Sequence, residues 1–107
     1  MEKITANNTE SFRPFYPGEL IKDELEYRKI RQKDFAEKYG LSYTALNEIL
    51  NGKRLLSIEF ALLIEAALDI NADMLVRMQT EYNMQVARKN NKIISRLAKI
   101  RKIAAML

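Results

Sequence analysis

Gly40 is the residue that most limits what this chain can fold into. It sits between two short helical patterns. In the first, which starts at Gln32, the residues Phe35, Ala36 and Tyr39 recur on one face. In the second, which runs to Asn51, Leu46, Ile49 and Leu50 do the same. So short a link calls for a left-handed residue, and glycine takes that conformation without a Cβ penalty. Leu41 then plugs the angle, and Ser42 offers its hydroxyl as N-cap to the second helix. Ala36 is small enough to let the second helix cross close over the first.

This is the pattern of a helix-turn-helix, whose second helix enters the DNA major groove. A helix, a glycine and a helix occur together in many all-α domains and would mean little alone. Here small, apolar, glycine and N-cap positions all fall where the motif wants them. The outward positions of the second helix, Tyr43, Thr44, Asn47 and Glu48, are polar or amphipathic. The competing reading is a structural helical hairpin, and the coincidence of positions favours DNA binding over it.

The composition narrows the class further. At 107 residues the chain is one domain with room for an appendage. A 48% hydrophobic content supplies a small core, and three glycines with two prolines predict an all-α fold. The absence of cysteine and histidine removes disulfides, thiolate sites, the usual zinc sites and His-based nucleophilic catalysis. A carboxylate-only magnesium site stays formally open, but the acids read as scattered helix-surface residues. The expectation is therefore a non-enzymatic protein with no cofactor. No apolar run approaches the ~18 residues of a membrane span, and no secretory signal is apparent, so the expected compartment is the cytoplasm.

Net charge is +4, but its location matters. Residues 1–68 carry 10 Lys/Arg against 11 Asp/Glu, a balance of −1, and residues 69–107 carry 8 against 3, a balance of +5. The basic excess lies outside the helix-turn-helix.

Residues 1–16 lack helical periodicity and read as a flexible N-terminal arm. Phe12, Phe15 and Tyr16 are apolar for a tail; they either pack on the folded domain or dock a partner protein. Pro17 starts the first helix, with Leu20, Ile21 and Leu25 as its buried stripe. Glu19 suits the positive end of that helix dipole, and Arg28 and Lys29 suit the negative end. After the second helical pattern, Gly52 is a natural C′ residue. Lys53 and Arg54 then follow as a candidate phosphate clamp, the alternative being two solvated loop charges. Ser57 is the expected N-cap of a fourth helix, apolar nearly all round from Ile58 to Leu68 and so expected at the centre of the bundle. Asn71 caps a fifth, whose apolar stripe continues through Met74, Leu75 and Met78 towards Tyr82.

Residues 84–107 hold no acid and seven Lys/Arg. Ile93, Leu97, Ile100, Ala104 and Leu107 recur there at heptad-like spacing. The segment reads as a basic amphipathic helix. It can dimerise through the seam, bind a partner or nucleic acid through its bases, or lie on an anionic membrane.

With these pieces in order, the chain resembles the lambda-repressor-like (XRE/Cro) helix-turn-helix group and, within it, the HigA antitoxins. The residues that carry the resemblance are Pro17-Gly18-Glu19-Leu20-Ile21, Gln32-Lys33-Asp34-Phe35-Ala36, Leu50-Asn51-Gly52-Lys53-Arg54 and the Leu75–Asn83 stretch with Gln79 and Tyr82. It covers about residues 16–87. It implies an all-α fold: a five-helix lambda-repressor-like DNA-binding domain over residues 17–83. The arm 1–16 precedes it, and a basic C-terminal helix over 84–107 follows for dimerisation or partner contact.

The implied function has two parts. Such proteins neutralise a HigB-type, RelE-like mRNA-cleaving toxin, and they repress their own operon as homodimers on a palindromic operator. Carried over position by position, Gln32 and Ser42 hold phosphates, and Tyr43, Thr44, Asn47 and Glu48 face bases. Asn51, Lys53 and Arg54 grip the flanking backbone. The nearer rival is a stand-alone XRE-type repressor with no toxin. The rival from another class is a protein-interaction module with a vestigial helix-turn-helix, which the slight acidity of residues 1–68 favours.

Overall fold

The computed structural model describes residues 15–106, so the expectations for the arm up to residue 14, Phe12 included, lie outside the described residues. Six α-helices and no strand occur among the described residues. They are α1 (Pro17–Tyr27), α2 (Gln32–Lys38), α3 (Tyr43–Leu50), α4 (Ile58–Leu68), α5 (Ala72–Arg88) and α6 (Asn91–Ala105). The chain forms two compact units, one of residues Phe15–Glu81 and one that includes the chain from Tyr82 onward.

In the first unit each start and stop has a local cause. Pro17 opens α1 with a ring that needs no N–H partner, and Glu19 lies in the first turn. Ser42 and Ser57 cap α3 and α4, accepting from the N–H groups of Ala45 and Phe60. Asn71 Oδ1 accepts from the Met74 N–H at 2.8 Å before α5.

Helices α1, α2 and α3 all stop in the same way. At the end of α2, Leu41 N–H donates to the Ala36 carbonyl at 2.8 Å and Gly40 has φ +67°. At the end of α3, Lys53 N–H donates to Glu48 O at 2.8 Å and Gly52 has φ +75°. Both are Schellman turns, in which a left-handed residue lets the last carbonyls find donors. At the end of α1 the left-handed residue is Lys29, at φ +60°, with Ile30 N–H on Leu25 O at 2.8 Å. Lys29 thus stands beside the negative end of the helix, and the backbone reverses at it. Arg28 serves two ends: it pairs with Glu24 at 2.6 Å on its own helix and donates to the Leu68 carbonyl at 2.7 Å where α4 stops.

The core is one cluster. Ile21 and Leu25 of α1, Phe35 and Ala36 of α2, and Leu46, Ile49 and Leu50 of α3 meet Leu56, Ala61, Ile64, Leu68, Ala72 and Leu75. Leu41 packs against it from the turn. Two expectations are revised. Helix α4 does not bury its whole circumference: Ala61, Ile64 and Leu68 form one buried stripe, while Ile58 and Leu62 are 66% and 53% exposed. A unit this small has core for only one side of that helix. Tyr39 is 39% exposed, because the chain has already begun to turn there, and its ring leans on Phe35 at 4.8 Å between centroids. Tyr16 packs on the domain, its ring lying over Gly52, whereas Phe15 is half exposed.

The second unit contains α6, whose N-cap Asn90 accepts from the N–H groups of Lys92 and Ile93. No residue of α6 is buried. Among the described residues no helix is long and apolar enough to cross a membrane.

Helices α1 and α3 approach each other closely at Gly18. A Cβ added at Gly18 would stand 2.0 Å from the Ile49 carbonyl oxygen and 2.9 Å from its carbon. Around Gly40 there is open space, and only its positive φ resists a side chain. Gly18→Ala is therefore expected to cost about 3 kcal/mol through forced separation of two backbones. Gly40→Ala should cost about 1 kcal/mol. Urea unfolding of the two variants checks the order; equal losses would remove the steric role of Gly18.

Candidate nucleic-acid interface

Helix α3 has eight residues and three of them, Leu46, Ile49 and Leu50, are buried. That anchors one side and turns Tyr43, Thr44, Asn47 and Glu48 outward. Tyr43 and Thr44 are exposed; Asn47 and Glu48 are half buried at the edge. Gln32 is the first residue of α2, and the crossing of α2 and α3 brings it to Asn47. Asn47 Nδ2 donates to Gln32 Oε1 at 3.0 Å. The pair leaves the Gln32 amide group as donor and Asn47 Oδ1 as acceptor. Asn47 alone thus loses part of the donor-and-acceptor display that a carboxamide needs for bidentate contact with adenine.

The end of α3 is tied down. Asn51 Nδ2 donates to the Asn47 carbonyl at 2.8 Å, and Lys22 Nζ of α1 donates to Asn51 Oδ1 at 3.2 Å. Asn51 therefore fastens α3 to α1 and brings the Lys22 ammonium to the same corner. Arg54 turns back on Glu48: its Nε and Nη2 approach Glu48 Oε1 at 2.9 and 2.7 Å. The two expected contacts are thus brought together as an ion pair, which cancels the carboxylate on the outward face. Arg54 is exposed and Glu48 lies at the half-buried edge in reach of solvent, so the pair is worth roughly 0–1 kcal/mol and opens at little cost. Lys53 is exposed in the loop. Ser42 spends its hydroxyl oxygen on the Ala45 N–H at 3.2 Å and keeps its own O–H as donor.

Several residues of this corner carry no mark in the sequence patterns used above. An open groove of about 600 Å³ beside α3 is lined by Lys29, Arg31, Gln32, Lys33, Tyr43 and Asn47, together with Glu26 and Ile30. It places three cations next to an outward face that itself has none. Arg31 is partly balanced by Asp34 at 2.9 Å. Their alternation, Lys29-Ile30-Arg31-Gln32-Lys33, was visible as a run of charge but not as a border of the second helix.

Gln79, named above only for the resemblance, has a role of its own. It is 9% exposed, and its Oε1 accepts from the Leu56 N–H at 2.9 Å. It thereby pins the loop that follows α3. The available sign was a polar residue on the buried stripe Ala72, Leu75, Gln79. Among the described residues, no group of His, Cys, Asp or Glu gathers as a metal site.

The corner is built to present hydrogen-bonding groups on a rigid short helix, bordered by cations. Fold and site together define a helix-turn-helix protein of the lambda-repressor-like class. The helix-turn-helix family profile matches residues 21–75, more than half of the chain, and the protein belongs to that family, in its XRE branch.

Solved structures extend the likeness. An addiction-module antidote protein of the HigA family from Coxiella burnetii is 25% identical with a TM-score of 0.71, over 82% of this chain and 95% of that one. The Pseudomonas aeruginosa antitoxin HigA, solved with the higBA promoter, is 30% identical with a TM-score of 0.68, over 77% and 91%. A P. aeruginosa protein solved with its 18-bp operator DNA is 27% identical with a TM-score of 0.66, over 78% and 92%. A search among curated proteins found no match.

Replacing Gln79 with Leu keeps the volume but strands the Leu56 N–H. The expected loss is about 1–3 kcal/mol in urea unfolding. A change within about 0.5 kcal/mol would mean that this bond does not hold the loop.

Proposed function

We propose that this protein is a DNA-binding antitoxin: a dimer that represses its own operon and neutralises a HigB/RelE-like mRNA-cleaving toxin. The observation that carries the DNA half is the outward face of α3, with Thr44, Asn47 and the Gln32 it bonds presented beside Lys29, Arg31 and Lys33. The solved relatives that carry promoter or operator DNA support the same reading. The toxin half rests on the antidote and antitoxin relatives alone.

In this mechanism α3 enters the major groove. Thr44 and the Tyr43 ring contact thymine methyl groups, and the Gln32–Asn47 pair offers one donor and one acceptor to base edges. Glu48 accepts from a cytosine amine once Arg54 leaves it for a phosphate. Ser42, Asn51, Lys53 and Arg54 hold the backbone on either side, while Gln32 is taken into the base-facing pair. One copy presents a short face with no cation on it, so direct readout is modest and symmetry adds to it. Two copies place their α3 helices about 34–36 Å apart, one DNA turn, over an inverted repeat. The exposed Ile58 and Leu62 of α4 supply apolar surface for the pairing.

Thr44→Ala or Asn47→Ala is expected to cost about 1–3 kcal/mol on the inverted repeat upstream of the reading frame and little on random DNA. Wild-type protein should bind that repeat as two copies. Replacing Lys53 and Arg54 together should weaken binding to all DNA and flatten the slope of log K against log salt by about two units. Equal losses on both DNAs for the α3 variants would take away the base-reading role, and an unchanged salt slope would leave the loop cations as solvated charges.

For the toxin half, the measurement is co-expression with the neighbouring small reading frame. Its product should stop growth alone, be harmless with this protein, and co-purify with it. A neighbour that is harmless by itself would leave a stand-alone repressor.

A further inference from the structure

The DNA-reading unit is not where the positive charge is. Residues Phe15–Glu81 carry nine Lys/Arg against twelve Asp/Glu, a balance of −3. The chain from Tyr82 to Leu107 carries seven against none, a balance of +7. With no acid in its own stretch, α6 has no intrahelical ion pairs to spend its charge on, and none of its cations has an ion-pair partner among the described residues.

Those cations are ordered. Lys92, Arg96 and Lys99 stand at i, i+4 and i+7, on one edge of α6. At 1.5 Å per residue their Cα atoms are about 6 and 4.5 Å apart along the axis. Asn91 and Ser95 lie on the same edge, and these five residues line one open groove of about 670 Å³. The edge is a straight row of donors: three cations, a hydroxyl and a carboxamide. Ile93, Leu97 and Ile100 occupy the neighbouring face and are exposed as well. Three of the five α6 cations share this edge, Arg101 and Lys102 lying off it, and a row of cations with polar donors between them suits a linear polyanion. A membrane-surface helix instead sets bases along a broad polar face and aromatic anchors on the other, and α6 has no aromatic residue.

We propose that the Lys92–Arg96–Lys99 edge of α6 is a second DNA contact, which binds the phosphate backbone of duplex DNA without reading sequence. This goes beyond the proposed readout by α3 and rests on the DNA half of that reading only for the identity of the duplex. The edge adds to the counterion-release share of affinity that Lys53 and Arg54 supply from an otherwise acidic reading unit. Specificity then resides in one unit of the chain, and the larger part of the sequence-independent affinity in the other.

The test uses the full chain and a random-sequence 40-bp duplex, followed by fluorescence anisotropy across a salt series. Lys92→Gln, Arg96→Gln and Lys99→Gln are combined in one variant. No residue of α6 is buried, so the variant should melt like the wild type. It is expected to flatten the slope of log K against log salt by about 2.7 units, three phosphates at 0.9 each. The preference for the upstream repeat over random DNA should not change. An unchanged slope overturns the proposal. So does an unchanged slope accompanied by loss of binding to phosphatidylserine vesicles, which would make the edge a lipid contact, or by loss of the dimer, which would make it a self-association surface. If the wild type binds both DNAs equally, the α3 readout fails, yet a slope flattened by the variant still upholds the α6 contact. If the wild type binds neither DNA, both fall.

Discussion

The contact on which the first unit depends is the approach of the Gly18 backbone to the carbonyl of Ile49. An eight-residue helix is too short to persist by itself, because nucleation is costly and propagation gains little per residue. Helix α3 therefore has to be held from outside. Its N-terminus is fixed by the Gly40 turn and the Ser42 cap. Its C-terminus is fixed by the start of α1: Gly18 against Ile49, Lys22 on Asn51, and the Tyr16 ring over Gly52. Gln79 then pins the departing loop at Leu56. All of these holds act on backbone or on the inner face, which leaves Tyr43, Thr44 and the edge residues Asn47 and Glu48 for another purpose.

The electrostatics follow the same economy. Glu48 on the outward face would repel phosphate, and Arg54 lies across it. The cations that border the face, Lys29, Arg31 and Lys33, come from the link before α2 and from its first turn. Lys29 takes that place because the backbone reverses there at φ +60°. A left-handed lysine carries a strain that glycine avoids, and it delivers a charge that glycine cannot.

How much of this was legible depends on what each residue type advertises. The Gly40 and Gly52 turns could be read because glycine at a helix end has few other uses, and the Ser42 and Ser57 caps because a hydroxyl before an apolar pattern has few others. Lys29 makes the same turn as Gly40 and gave no sign, since lysine is ordinary at any helix end. Gly18 was visible as a residue, but its reason lies in Ile49, thirty-one positions away. The apolar run from Ile58 to Leu68 announced burial, while its actual share was limited by the amount of core available to face it. Within the site, the order of residues placed Tyr43, Thr44, Asn47 and Glu48 on one face of α3. It did not disclose that Glu48 and Arg54 pair, because that depends on where the loop after Gly52 turns.

The Gln32–Asn47 bond joins these threads. It links the first residue of α2 to the outward face of α3, so its length is set by the angle at which the two helices cross. That angle is fixed by Gly40 on one side and by α1 at the far end of α3. On the DNA-reading proposal, the hydrogen-bonding pattern shown to a base edge then belongs to the interhelical geometry and to neither side chain alone. A change buried under α3 would alter which base is preferred without touching a residue that faces DNA. Such coupling suits a reader with no arginine on its helix: it cannot gain discrimination from one strong bidentate contact, so a weaker pattern must be held rigid. The close backbone packing at Gly18 supplies that rigidity.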